Sequence, residues 1–128
     1  MKILLDTQIA LWAITDSQRL STQARQHILA PGSTVYFSAA SVWEISIKHR
    51  IARGDMPVSG EEAASLFREA GYSELPISAK HAAATDDLPM HHADPFDRLL
   101  VAQACHEPLR LLTHDKQLLA YDGPIEFV

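Results

Sequence analysis

The segment Lys2-Ile-Leu-Leu-Asp-Thr-Gln-Ile-Ala-Leu-Trp12 decides the fold. Its apolar start is short enough for a strand and is ended by Asp6 and Thr7. Beyond them Ile9, Leu11, Trp12 and Ile14 fit one wide helical face. A strand, an acidic turn and a helix follow in that order, so the chain opens on a βα unit.

The same alternation continues outward. Ser21 is a good N-cap for a helix to about Ala30, stopped by Pro31 and Gly32, and the β-rich run Thr34 to Phe37 is a second strand. Ser38 caps a helix from about Ala39 to Arg53 that Gly54 closes. After the connector Met56-Pro57-Val58, an amphipathic helix runs from Gly60 to Ala70 and ends at Gly71. Glu74 to Ile77 is a weak strand, and Pro76, which cannot donate to a ladder, assigns it to an edge. Ser78 caps a helix to about Thr85, and Asp86 to Ala93 is polar loop. Asp94-Pro95 is a cap followed by a first-turn proline and starts a helix to about His106. Leu109 to Thr113 is a strand, Asp115 to Tyr121 a short helix, and Ile125 to Val128 a last strand. Strands alternating with helices predict an α/β fold, a three-layer α/β/α sandwich with a mainly parallel open sheet of about five strands. Ligands of such sheets bind outside the carboxyl ends of the strands.

The 128 residues suit one domain, expected to span the whole chain. Sixteen acidic against eleven basic residues give a formal charge of −5, so no global field draws the protein to nucleic acid or an anionic membrane, and a polyanion has to be held locally. An apolar share of 47% argues against disorder. The lone Cys105 cannot form an internal disulfide and excludes metal motifs that need a thiolate pair, which points to a reducing cytoplasm. Residues 1–14 imitate a secretory signal, but Asp6 and Gln8 interrupt the apolar stretch, and no run approaches the roughly 20 apolar residues of a membrane span.

Four acids share the address where ligands are expected. Asp6 follows the first strand and Asp115 lies just beyond the strand ending in Thr113. Glu44 starts about 9 Å above Ser38 along its helix, but helical side chains lean back toward the N-terminus. Asp97 occupies the first turn of the helix begun by Asp94 and Pro95. Carboxylates about 4 Å apart at an effective dielectric near 20 repel by around 4 kcal/mol per pair, so protons or a cation must hold them together. An oxygen-only ligand set selects a hard ion, Mg²⁺ or Mn²⁺, which activates water and neutralises phosphate charge.

Each acid also has a plainer reading. Asp6, Asp94 and Asp115 can cap helices, and Asp97 can complete a short capping box behind Asp94. Glu44 stands four residues before Lys48, the spacing of an exposed helical ion pair. Thr113 can bond a carboxylate or water, with its own backbone as the simpler partner.

The residues Leu4-Leu-Asp-Thr-Gln-Ile-Ala-Leu-Trp12, Ser38-Ala-Ala-Ser-Val-Trp-Glu-Ile45, His91-His-Ala-Asp-Pro-Phe-Asp-Arg98 and Leu111-Leu-Thr-His-Asp115, taken together and in this order, resemble PIN-domain ribonucleases of the VapC toxin family. The likeness covers nearly the whole chain and departs at Gln8, where the family more often carries Asn or His. It implies that Asp6, Glu44, Asp97 and Asp115 are the acidic metal-binding and catalytic set, with Asp94 an accessory or capping acid. It further implies Mg²⁺- or Mn²⁺-dependent hydrolysis of RNA to 5′-phosphate and 3′-hydroxyl ends, a cognate antitoxin that masks the site, and a homodimer. The rival classes are a phosphoacceptor receiver domain, which would want paired acids after the first strand and a lysine after the last, and a PIN fold that binds without catalysis.

Basic groups near this edge are Lys48, His49, Arg50 and Arg53, with Arg98 and Lys116 best placed to position phosphate. His91 and His92 are adjacent rather than spaced for one helix face, so an exposed loop accounts for them better than a metal site does. Trp43, Ile47 and Ile51 share a stripe while Val42 and Ile45 point elsewhere. That apolar arc is wider than one core-facing side needs. Burial on two sides is the default expectation, with an antitoxin or dimer contact as the alternative.

Overall fold

Ile3, Leu4 and Leu5 are all fully buried, as a strand covered on both faces requires. The computed structural model describes residues 1–52 and 55–128. The expected helix end at Arg53, its Gly54 stop and any role of Arg53 lie outside the described residues. Element order is β1 (Lys2–Leu5), α1 (Thr7–Ile14), α2 (Thr22–Leu29), β2 (Thr34–Ser38), α3 (Ala39–Ala52), α4 (Gly60–Glu69), β3 (Ser73–Leu75), α5 (Ala79–Ala84), α6 (Pro95–His106), β4 (Arg110–Thr113) and β5 (Ile125–Phe127). The five strands form one sheet in the order β3-β2-β1-β4-β5. Every described pairing is parallel.

Side-chain parity along β1 builds the layers. Ile3 and Leu5 join Val35, Phe37 and Leu112 on one face, where Ile9, Ala24 and Phe67 cover them. Leu4 and Leu111 point to the other face, against Leu100, Val101, Ala104 and Leu118. The layers on the first face approach closely at Gly60. A Cβ there would sit 1.8 Å from Ser46 Oγ and 3.0 Å from the Val42 carbonyl, so the start of α4 tolerates only glycine without a shift of α3.

Three expectations need adjusting. The third strand lies at the edge but ends at Leu75, because Pro76 has no N–H for the ladder; its carbonyl instead accepts from Gln103 Nε2 at 3.3 Å. The short helix after Asp115 is a 3-10 turn over Lys116–Ala120. The stretch expected as loop begins with a 3-10 turn, Thr85–Asp87. No helix among the described residues is long and apolar enough to cross a membrane.

Register sets the functional edge. Leu5 aligns with Phe37 on one side and Leu112 on the other, so Asp6, directly after β1, lies level with Ser38 and Thr113, the last residues of β2 and β4. Asp6 N–H still donates to Leu112 O at 3.0 Å, which fixes the first acid against the end of β4.

Candidate functional site

Asp6 is both a helix cap and a cleft residue. One carboxylate oxygen, Oδ1, accepts from Ile9 N at 2.8 Å and closes the first turn of α1. The other accepts from Thr113 Oγ1 at 2.5 Å and from His114 N at 3.4 Å. Thr113 Oγ1 in turn accepts from Asp115 N at 3.0 Å. The hydroxyl expected to serve its own backbone therefore ties two of the four acids together. Burial pushes the Asp6 carboxyl above its ordinary range, and the nearby Glu44 charge adds to that, against the three hydrogen bonds that favour the ionised form.

Glu44 reaches the same edge from α3. Its Oε2 accepts from Lys48 Nζ at 2.7 Å, so the pair expected from the four-residue spacing exists. The pair is not an exposed one, because the Glu44 side chain is only 7% accessible. Its other oxygen, Oε1, is buried and has no hydrogen-bond partner among the described residues. A buried acceptor left unmatched costs about 1–3 kcal/mol, more when charged, so this oxygen demands an explanation. The hydrogen bond to Glu44 holds the Lys48 ammonium above its usual range.

Asp97 completes the cluster from α6, whose start Asp94 fixes by accepting from Phe96 N at 2.8 Å and Asp97 N at 3.2 Å. Burial first, then the charges of Asp94, Asp6 and Glu44, push the Asp97 carboxyl up to about 7, with His92 opposing. Asp115 uses Oδ1 to accept from Gln117 N, capping the 3-10 turn, and Oδ2 to accept from His92 Nε2 at 2.8 Å.

His92 overturns the expectation of an exposed loop histidine. Its side chain is 14% accessible. One ring nitrogen and carboxylate oxygens of Asp97 and Asp115 lie within 4.8 Å of one another. Its Nδ1 accepts from Asp94 N at 3.1 Å, so Nε2 carries the proton and donates to Asp115. In that tautomer His92 orients the acids rather than offering a lone pair to a metal. The sequence held one signal for it, its position two residues before the Asp94 cap. His91 is exposed, its ring edge-on to Tyr121 at 5.0 Å.

The remaining candidates divide. Asp6, Glu44, Asp94, Asp97 and Asp115 line one cleft of about 230 Å³ with Thr7, Gln8, Leu11, Trp12, Lys48, Met56 and His114. Arg98 is elsewhere: its two terminal guanidinium nitrogens donate to the carbonyls of Thr85, Leu88 and Pro89 and to Tyr121 Oη, which commits the fork that a phosphate would need. Lys116 Nζ lies 5.4 Å from the centre of the Phe127 ring, outside the cleft lining. His49 and Arg50 are exposed and do not line it either. On α3, Ile45 is fully buried, whereas Trp43 and Ile51 are 58% and 76% accessible. The default of burial on two sides therefore fails for this stripe. Trp43 packs edge-on to Phe96, with ring centres 5.1 Å apart.

The donor set fits a hard divalent cation. It offers carboxylate oxygens without thiolate, two acids whose carboxyls are raised by burial first and by neighbouring charge second, and one buried carboxylate oxygen that no group among the described residues satisfies. Three carboxylates pushed together at a sheet edge and only partly neutralised by Lys48 are what a cation would relieve.

The family model of the PIN domain matches residues 3–124. Ribonuclease VapC22 of Mycobacterium tuberculosis (strain ATCC 25618 / H37Rv) is 31% identical over 129 aligned positions, covering 95% of this chain and 93% of that protein. Among solved structures, the chain is similar to VapBC2 from Rickettsia felis, bound to a DNA fragment from its promoter, with TM-score 0.74 and 18% identity over 99% of this chain and 98% of that one. It is also similar to a toxin–antitoxin complex from Klebsiella pneumoniae, with TM-score 0.67 and 17% identity over 97% and 95% of the two chains. VapBC-5 from Mycobacterium tuberculosis gives TM-score 0.62 and 18% identity over 99% and 97%. These three structures share the fold.

Proposed function

The chain belongs to the PIN-domain family, and from that premise we propose that it is an endoribonuclease toxin whose cleft holds Mg²⁺ or Mn²⁺ and hydrolyses RNA phosphodiesters. The observation that carries this reading is the buried Oε1 of Glu44, without a partner among the described residues, in a cleft shared with Asp6, Asp97 and Asp115. Those four residues are the proposed ligands, with Asp94 kept to its capping role. When bound, the cation supplies an activated water and offsets phosphate charge.

The chain's own groups prepare that site. Thr113 fixes Asp6 and, through the Asp115 amide, the start of the following turn. Lys48 neutralises one oxygen of Glu44 and leaves the other to face a ligand. His92 holds Asp115 by a single donated hydrogen bond. Asp97, whose carboxyl is raised to about 7, would hold a cation only in its ionised form, since metal and proton compete for the same carboxylate. An acid set of this kind would tolerate a polyanion because a bound cation would offset much of the carboxylate charge.

By likeness to the VapC ribonuclease, and to neighbours whose structures are toxin–antitoxin complexes, the proposed partners are an antitoxin protein and a second copy of the chain, in the cytoplasm. The exposed stripe of Trp43, half-buried Ile47 and Ile51 is the surface offered for such a contact. The nuclease reading is tested with purified chain and total RNA. Wild type should cut with Mg²⁺ or Mn²⁺ and leave 5′-phosphate ends, while Asp97→Asn and Glu44→Gln, folded by circular dichroism, should lose cleavage by about two orders of magnitude or more. Retained activity in both variants would remove the carboxylates from the chemistry.

A further inference from the structure

One flank of the cleft is aromatic. Trp12, from α1, and His114, directly after β4, both line it, their ring centres 5.3 Å apart in an edge-on contact. On its other contact His114 stacks on Phe127, 5.0 Å away and tilted by only 22°. Lys116 Nζ stands 5.4 Å from the Phe127 ring centre. His114 Nδ1 donates to Val128 O at 2.7 Å, which fixes the orientation of an otherwise exposed ring. Trp12 and Phe127 are half-buried, so each combines a packed side with an accessible one.

Electrostatics say what such a flank is needed for. The chain carries a formal charge of −5. Among the described residues, the only lysine or arginine lining the cleft is Lys48, and it is tied to Glu44. Arg98, the other basic candidate near Asp97, is spent on backbone carbonyls. Ionic contacts to phosphate are therefore scarce beside the acids, and an RNA strand must be held by something that does not depend on charge. Stacking on aromatic rings meets that need, and it accepts any base because every base has a π-face.

We propose that Trp12 and His114, backed by Phe127 and Lys116, form a stacking subsite for an unpaired nucleobase of the single-stranded RNA that enters the acidic cleft. This rests on the nuclease reading and adds the contact that positions its substrate. The strand would then be recognised by unstacked bases beside the cut rather than by its phosphates, and a fully paired duplex, whose bases are already stacked, would be a poor substrate.

The chain has two tryptophans, so in an Asp97→Asn, Trp43→Phe protein Trp12 is the only one and its fluorescence reports the subsite, while Phe at position 43 keeps a ring against Phe96. Short single-stranded RNA should quench that fluorescence. The same strand made abasic at positions flanking the cut should bind about 5- to 150-fold more weakly, the range for one base–aromatic stack, and should not quench. In cleavage assays Trp12→Leu, which keeps apolar volume toward the core, and His114→Ala should each raise KM within that range and leave kcat unchanged. An abasic substrate should erase the difference between Trp12→Leu and wild type.

Absence of quenching, together with wild-type KM in folded His114→Ala, would overturn the subsite. So would a Trp12→Leu chain that cleaves with wild-type KM but retains less co-expressed antitoxin, which would make the flank a protein contact. If wild type cut no RNA while base-dependent quenching persisted, the nuclease reading would fail and the subsite would stand. Normal cleavage without base dependence would overturn the subsite and leave the nuclease reading intact.

Discussion

Asp97 is the residue whose environment says most about the site. Its carboxyl is raised to about 7 from an ordinary 3.8, so the folded chain holds that proton more tightly than the unfolded chain does. The stability this contributes is fully present below the ordinary carboxylate range and is lost as pH rises through about 7. Asp6 is raised for a similar reason and acts in the same direction. In chelator, the melting temperature should therefore fall by several degrees from about pH 5 to about pH 8. Mn²⁺ should restore more at the upper end, where no proton competes. Asp97→Asn should flatten the slope in chelator and abolish the Mn²⁺ response. A melting temperature that rises across this window in chelator, with a pH-independent Mn²⁺ shift, would contradict the burial and crowding assigned to these acids.

At the scale of elements, the segment between α5 and α6 is held by Arg98 rather than by its own regularity. Arg98 donates to the carbonyls of Thr85, Leu88 and Pro89 and to Tyr121 Oη, and Tyr121 Oη accepts from His92 N at 3.1 Å. His92 is thereby delivered to Asp115, which makes both positioning residues. Arg98→Ala and His92→Phe should each lower kcat by about 10- to 100-fold with KM for RNA unchanged, as loss of a ligand-orienting partner does. If Arg98 gripped phosphate instead, KM and its salt dependence would change. Contacts of this kind are the ones a sequence does not announce. The alternation of short apolar runs with capped helices made the layers and the parallel sheet legible, because both faces of each strand must be covered and the caps are local chemistry. Three of the four acids were legible because Asp6 and Asp115 follow strand ends and Asp97 stands in a first helical turn, and Glu44 because a helical side chain leans back toward the start of its helix. Thr113, His92 and Arg98 were misread because their roles are set by partners 107, 23 and 9–23 residues away, which no local pattern encodes. The α3 stripe was misread because periodicity gives the direction of Trp43 and Ile51 but not whether another element covers them.

For the whole molecule, the acidic balance and the acidic cleft are compatible with an RNA substrate only if a cation sits among the carboxylates and bases are gripped without charge. The exposed stripe on α3 is the feature of the surface that a lone chain does not explain. If it joins two copies, Trp43→Ala with Ile51→Ala should shift sedimentation toward monomer without lowering the melting temperature of the monomer, and unchanged association would remove the stripe from the dimer. The central claim is that the edge formed by Asp6, Glu44, Asp97 and Asp115 cuts RNA by means of a bound divalent cation. Its most direct test is cleavage of single-stranded RNA by the wild-type chain as Mn²⁺ or Mg²⁺ is titrated into chelator-treated protein. No cleavage is expected in chelator, with activity that appears and saturates as metal is added; cleavage at full rate in excess chelator would contradict the claim.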